Sequence, residues 1–166
     1  KPAAKISAVT NPRLGGIESL KEQFAGIAER ELLGAADLVI FVVDRDDNEN
    51  RALSFEERIA KLPDEVRRKT VVLVGEQEVE VYAVLGRRGD VGSPWSTVRA
   101  ERDSKERYFD PLIAGLSPVD RMKPGGGRRV LMADSTAGGW KSLEQLCPEL
   151  RGLRRAVEEA LDPDNA

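Results

Sequence analysis

The stretch LVIFVVDRD, residues 38–46, decides the fold of this chain. Its first six residues are an unbroken apolar run, rich in β-branched types, which predicts a strand covered on both faces. A second run of this kind, VVLV, follows at residues 71–74. Because strands covered on both faces are typical of parallel sheets, the two runs predict parallel strands at the centre of a sheet.

Apolar residues at helical spacing surround both runs. They predict one helix over residues 17–33, before the first strand, and another over residues 55–62, between the strands. A third helix is predicted after the second strand, over residues 77–85. This alternation predicts an α/β fold, with a small and mostly parallel sheet flanked by helices.

The remaining segments are predicted to be mainly helical. Residues 104–115 and the segment that begins at Pro148 carry apolar positions at helical spacing. A short extended piece is expected at residues 5–10, and a short apolar piece at residues 130–132. No internal repeat and no strong boundary divides the chain, which predicts a single domain over residues 1–166.

Composition limits the chemistry of the protein. With 40% apolar and 33% charged residues, the 166-residue chain has the composition of one folded globular domain. It contains no histidine, which excludes Ser-His and Cys-His catalysis, histidine general bases and histidine-ligated zinc. Any chemistry must therefore use carboxylates, lysine, arginine, hydroxyl groups or a metal bound by oxygen.

Charge and apolar runs indicate where the protein works. The net charge of −3 offers no broad basic footprint for nucleic acid, although it leaves room for a local basic strip. No apolar run approaches the ~20 residues that cross a bilayer, so we expect no membrane partner. The single cysteine, Cys147, cannot form an internal disulfide, which favours a cytoplasmic location.

Carboxylates follow both predicted strands at the same edge of the sheet. Asp44 and Asp46 leave the first strand, and their side chains point to the same side because they are two positions apart on extended chain. Glu76, Glu78 and Glu80 leave the second strand. Ligands of open parallel sheets gather outside the carboxyl ends of the strands, so we expect these side chains to face a common site.

The arrangement of the three glutamates depends on where the second strand ends. If a helix begins near Gln77, Glu76 and Glu80 share one face and Glu78 points elsewhere. If the strand continues, all three carboxylates lie on one side. For any one of them, a place on a solvated helix face is an equal explanation.

Carboxylates that converge on one point repel each other unless a cation neutralises them. A site of oxygen ligands suits Mg²⁺ or Mn²⁺. Such an ion polarises a phosphoryl oxygen and lowers the pKa of a bound water, which is a route to phosphodiester cleavage. The alternative is that Asp44 and Asp46 simply end a strand and cap the following helix.

Two further interpretations of the loop at residues 44–50 are disfavoured. Its alternating Asp and Asn residues are similar to a calcium loop, but the glycine at the sixth position is missing and Phe55 replaces the glutamate at the twelfth. A receiver-like domain phosphorylated at Asp44 would need a lysine after a later strand, and Lys105 is poorly placed for that.

Three segments carry a family resemblance: VVDRD at residues 42–46, QEVEVY at residues 77–82 and SKERYF at residues 104–109. They resemble the Toprim-like domains of a largely uncharacterised bacterial family, related to the Toprim of overcoming-lysogeny-type nucleases. The resemblance covers roughly residues 17–109. It implies a Toprim-like fold and, by analogy with the family, an ATPase partner.

The resemblance also implies roles for the carboxylates. Asp44 and Asp46 would be the metal pair for Mg²⁺ or Mn²⁺, with Glu80 as a further ligand. Glu80, or else Glu78, would serve as the catalytic acid or base.

One feature of the Toprim pattern is missing. The pattern opens with a strand that ends in glutamate, whereas residues 5–10 carry no acidic residue and Glu18 lies in the first predicted helix. Three explanations stay open: the chain lacks its first strand, another segment or a partner protein supplies the carboxylate, or the domain is not catalytic.

Three basic residues are candidates for contact with substrate phosphate, namely Lys105, Arg128 and Arg129. Lysine and arginine both suit phosphate oxygens, although an ordinary surface charge is the better explanation of each residue taken singly. The sequence thus supports two hypotheses. The first is a Mg²⁺-dependent nuclease or related phosphoryl-transfer enzyme. The alternative is a non-catalytic Toprim-like binding or scaffold module in a defence or DNA-processing complex, with nucleic acid as a candidate partner of either.

Overall fold

Two parallel strands form the sheet of this α/β fold, which a computed structural model describes over residues 5–123 and 125–162. Strand β1 is Val39–Val43 and strand β2 is Thr70–Val74. Val39 lies opposite Thr70, and Val43 lies opposite Val74. Both strands and their parallel pairing were predicted by the β-branched apolar runs, and these predictions are confirmed. The predicted cover on both faces is wrong for β1, because Ile40 and Val42 are exposed on one face.

Helices make up most of the rest of the described chain. Their bounds are α1 Ile17–Leu33, α2 Arg51–Ile59, α3 Asp64–Arg67, α4 Val81–Val84, α5 Trp95–Ala100, α6 Asp110–Gly115, α7 Pro118–Met122, α8 Arg128–Thr136, α9 Gly139–Leu146 and α10 Pro148–Ala160. A 3₁₀ turn, Leu85–Arg87, follows α4, and a π turn, Lys105–Phe109, leads directly into α6.

One face of the sheet packs against α1 and α2. Phe24 of α1 is at the centre of this cluster, with its ring centroid 4.4 Å from that of Phe41 and 5.6 Å from that of Phe55. Tilted and edge-to-face aromatic pairs of this kind stabilise a core beyond the area that they bury. The apolar residues whose spacing predicted α1 are thus the ones that face the sheet.

The other face of β2 is covered from distant parts of the chain. Leu73 belongs to a second cluster with Val81, Leu131 and Leu150, and α10 packs along β2. The cluster is tight where the 3₁₀ turn meets α8: the N–H of Gly86 donates to Oγ of Ser135 at 2.8 Å. A Cβ on Gly86 would lie 2.3 Å from the backbone of α8.

Three predicted segments differ from the structure. The helix predicted over residues 77–85 begins only at Val81, because the backbone before it hydrogen-bonds to the loop after β1. The apolar piece at residues 130–132 is part of α8, in which Leu131 and Ser135 face the core one turn apart. Residues 5–10 form no regular element.

Among residues 5–123 and 125–162, no helix combines the length and the apolar character that crossing a bilayer requires.

Candidate functional site

The loop after β1 and the turn after β2 are joined through Gln77, at the carboxyl edge of the sheet. The backbone oxygen of Gln77 accepts the N–H of Arg45 at 2.8 Å, and its side-chain Oε1 accepts the N–H of Asp47 at 3.0 Å. Gln77 is buried. Sequence reasoning treated it only as a helix start, because nothing local distinguishes a bridging glutamine from a solvated one.

The loop at this junction has an unusual backbone. Asp46 and Asp47 have φ values of 49° and 55°, in the left-handed region. Asp tolerates that region better than most residues because its short polar side chain finds local partners. The buried side chain of Arg51 is a partner of this kind. Its Nη2 is 3.2 Å from Oδ2 of Asp46, and its Nε donates to the carbonyl of Arg45 at 3.3 Å.

Asp44 caps the turn after β2. Its Oδ1 accepts the backbone N–H of Val79 at 2.8 Å, and the residue is half-buried. A carboxylate that accepts a backbone N–H satisfies a donor which would otherwise lose its partner on folding. Asp44, which follows β1, therefore links the ends of the two strands, and Gln77, which follows β2, makes a second link between them.

Glu76 lies between two arginines. Its carboxylate is 3.5 Å from Nη1 of Arg45 and 3.2 Å from Nη2 of Arg99. Arg99 also contacts Glu149 at 2.7 Å, and the hydroxyl of Tyr82 donates to that glutamate at 3.0 Å. Burial, and then the neighbouring Glu149 carboxylate, raise the pKa of Tyr82 well above its usual range. The network ties α5 and α10 to the end of β2.

Glu78 turns away from that network to the start of the helical segment at residues 104–115. Its Oε2 accepts the hydroxyl of Ser104 at 3.1 Å and the backbone N–H of Lys105 at 2.7 Å. Donors at the first turn of a helix have no partner within the helix. Glu78 therefore acts as a cap supplied from another part of the chain.

Glu80 is the exception among the predicted carboxylates. It is half-buried, immediately before α4, and its carboxylate has no hydrogen-bond or ion-pair partner in the part of the chain that the structure describes.

Among the described residues, the predicted carboxylates do not come together as a metal-binding group. Within residues 5–123 and 125–162, no three Asp, Glu or Cys side chains lie together in a group that would hold a metal ion. Mg²⁺ needs several oxygen ligands around one point. Here Asp44, Asp46 and Glu78 are instead directed to separate protein donors.

The three candidate phosphate-binding residues are on two neighbouring segments. Lys105 begins the π turn, and the guanidinium of Arg128 lies 5.6 Å from the ring centroid of Phe109 in the same turn. Arg128 and Arg129 are exposed at the start of α8, and the side chain of Arg129 runs beside Gly125. Lys105 and Arg128 are thus both at the π turn, Lys105 as its first residue and Arg128 packed on Phe109. The side chain of Arg129 lies beside the loop that precedes α8.

A cavity of about 710 Å³ lies at the opposite end of the sheet. Its lining mixes acidic and basic side chains from α3 and α10 with residues that precede the strands, among them Asp37, Arg68 and Lys69. It is therefore separate from the carboxylates at the strand ends.

No family model matches this chain, and no curated protein or solved structure matches it.

Proposed function

We propose that this chain is a non-catalytic binding or scaffold module with a Toprim-like fold. One observation carries the proposal: every carboxylate predicted for the site except Glu80 is engaged by the protein itself. Asp44 accepts from Val79, Asp46 pairs with Arg51, and Glu78 caps the helical segment at residues 104–115.

The energetic cost of recruiting these groups supports a structural role. The N–H of Val79 already uses Oδ1 of Asp44, and the guanidinium of Arg51 already uses Oδ2 of Asp46, which leaves one oxygen of each carboxylate for an ion. An ion that drew these side chains out of their present positions would break both contacts, and the hydrogen bond to Val79 alone contributes roughly 0.5–1.5 kcal/mol. The rearrangement would involve a loop whose backbone adopts the left-handed region at Asp46 and Asp47.

The Toprim-like resemblance of residues 17–109 supports a setting in a defence or DNA-processing complex beside an ATPase partner. The single cysteine supports a cytoplasmic location. In such a complex the exposed Arg128 and Arg129 at the start of α8 would contact nucleic acid, since cations aimed at phosphates supply sequence-independent affinity.

Calorimetric titration with MgCl₂ and MnCl₂ tests the proposal. The parent chain and the double variant Asp44→Asn/Asp46→Asn should give the same small heats, because a scaffold binds no ion through these side chains. Asn keeps an oxygen acceptor for the N–H of Val79, so the variant should stay folded. Glu49→Gln, in the exposed part of the same loop, is the matched control. A saturable heat that only the double variant lacks would overturn the proposal.

The second candidate is a Mg²⁺-dependent nuclease, and Glu80 is the observation that favours it. Glu80 is half-buried and unpaired among the described residues, next to the turn that Asp44 caps. The nuclease would show Mg²⁺-dependent cleavage of single- or double-stranded nucleic acid that Glu80→Gln and Asp44→Asn each abolish. Equal cleavage by parent and variants would rule it out.

A further inference from the structure

Neither strand of the two-stranded sheet has a further strand beside it in the described chain, and the free edge of β1 is the one with exposed apolar side chains. The N–H of Val39 donates to the carbonyl of Lys69 at 2.9 Å, and the N–H of Gly75 donates to the carbonyl of Val43 at 2.9 Å. In a parallel ladder these bonds use alternate residues, so the N–H and C=O groups of Ile40 and Val42 point away from β2. They make no hydrogen bond to any other described residue.

The side chains at this edge are apolar and uncovered. Ile40 is 44% exposed and Val42 is 53% exposed, whereas their partners across the ladder, Val71 and Leu73, are buried. The same face of the sheet is thus covered on β2 and bare on β1. Natural edge strands usually carry lysine, proline or a bulge that prevents pairing, and β1 has none of these.

A segment suited to this edge is present in the chain itself. Residues 5–10, KISAVT, combine β-branched residues with small ones, and Ile6 is 92% exposed. Their backbone forms no hydrogen bond to the described residues. The next residue, Asn11, is held to α1 because its carbonyl accepts Nη2 of Arg30 at 2.6 Å. At roughly 3.3 Å per residue, the six-residue segment matches the length of β1.

The charges around the two partners are complementary. Lys5 precedes the apolar part of the segment and Arg13 follows it. Strand β1 has Asp37 before it and Asp44, Arg45, Asp46 and Asp47 after it, so both of its ends are net negative. Whichever direction the added strand takes, each of its basic ends therefore meets acidic residues at an end of β1. Opposite charges across paired strands stabilise the pairing, and like charges disfavour it.

We propose that residues 5–10 of one copy bind as an added strand to the open edge of β1 in a second copy. The segment does not pair with β1 of its own copy, which leaves the edge free for exchange between copies. Backbone hydrogen bonds supply the affinity of such strand addition, and pockets for alternate side chains supply its specificity. Because a single six-residue strand would make each contact between the copies, we expect a concentration-dependent dimer. The proposal is independent of the proposed function.

Sedimentation velocity over a concentration series tests the proposal with two matched lysine substitutions. Val42→Lys adds a charge at the open edge, and Leu53→Lys adds one at an equally exposed position on α2. The parent and Leu53→Lys should pass from monomer to dimer, and Val42→Lys should weaken the dimer at least tenfold. Circular dichroism checks that both variants are folded.

A labelled peptide of residues 5–13 provides a second measurement, by fluorescence anisotropy. It should bind the Leu53→Lys chain and not the Val42→Lys chain, and a scrambled peptide should bind neither. A parent that stays monomeric at every concentration would overturn the proposal. So would a Val42→Lys chain that dimerises as the parent does.

Discussion

The side chain of Gln77 accepts the backbone N–H of Asp47 at 3.0 Å, across the gap between the ends of the two strands. Its backbone carbonyl accepts the N–H of Arg45 in the same loop. One buried residue therefore sets the conformation of the loop that carries Asp44 and Asp46. The carboxylates at this edge are arranged by a glutamine that carries no charge of its own.

Replacing Gln77 with alanine should release the loop. The N–H of Asp47 loses its only acceptor in the described chain, and such a hydrogen bond contributes roughly 0.5–1.5 kcal/mol to the free energy of unfolding. We expect a lower free energy of unfolding and faster amide hydrogen exchange at Asp47. Exchange at Arg45, which bonds to the backbone of residue 77, should change less. Gln145→Ala, an exposed site on α9, is the control. Equal protection of Asp47 in parent and variant would contradict this.

Removal of the Glu78 carboxylate should loosen the helical segment at residues 104–115. Loss of a side-chain cap typically costs roughly 1–2 kcal/mol, and Glu78→Ala removes the acceptor for both Ser104 and Lys105. Glu78→Gln keeps one oxygen and should cost less. Chemical denaturation measures all three chains. Glu106→Ala, exposed in the same π turn, should be neutral; a loss as large as that of Glu78→Ala would show that the cap is not the cause.

Gly86 should not tolerate even one added methyl group. A Cβ there would lie 2.3 Å from the backbone of Asp134 and Ser135. The backbone of a packed helix cannot shift far enough to relieve such a clash. We expect Gly86→Ala to lower the free energy of unfolding by about 3 kcal/mol. Gly89→Ala, two residues after the 3₁₀ turn and with open space around its Cβ, should change it little. Similar melting temperatures for the two variants would refute the close approach.

The buried thiol of Cys147 should lower the free energy of unfolding as the pH rises above 9. Burial, and then the Glu149 carboxylate, raise its pKa from 9.0 to about 12. The folded state favours the neutral thiol, and this preference stabilises the folded state. The stabilisation is fully present below pH 9 and is lost as the pH rises to about 12. The melting temperature of Cys147→Ala should therefore fall less steeply between pH 9 and 11 than that of the parent.

Thiol labelling provides a direct check on Cys147. At pH 8 the folded chain should react slowly with a disulfide reagent, because the thiolate is scarce and the side chain is buried. Unfolding in guanidinium chloride should restore the reactivity of an ordinary thiol. Rapid labelling of the folded chain would mean that Cys147 is accessible.

The central strands and the last helix could be predicted because their signals are local. The apolar run that ends at Val43 and the proline at the start of α10 need no knowledge of the rest of the chain. The position of Asp44 at a strand end was also predictable. The partner of its carboxylate was not, because Val79 lies 35 positions away in a turn whose form depends on the pairing itself.

The glutamates show where periodicity stops being informative. Glutamates at positions 76, 78 and 80 allowed either a helix from Gln77 or a continued strand. The structure has neither, because the backbone turns at these residues and α4 begins at Val81. Glu76 pairs with Arg99, and Arg99 with Glu149, across separations of 23 and 50 positions. No spacing rule connects residues so far apart.

The packing of α10 along β2 has a consequence for synthesis of the protein. When β2 leaves the ribosome, the helix that will cover Val71 and Leu73 has not yet been made. Until then the nascent sheet has a bare apolar face, which is the kind of surface that chaperones recognise and that associates with other chains. The yield of folded protein in cells should therefore depend on how quickly translation proceeds from residue 74 to α10.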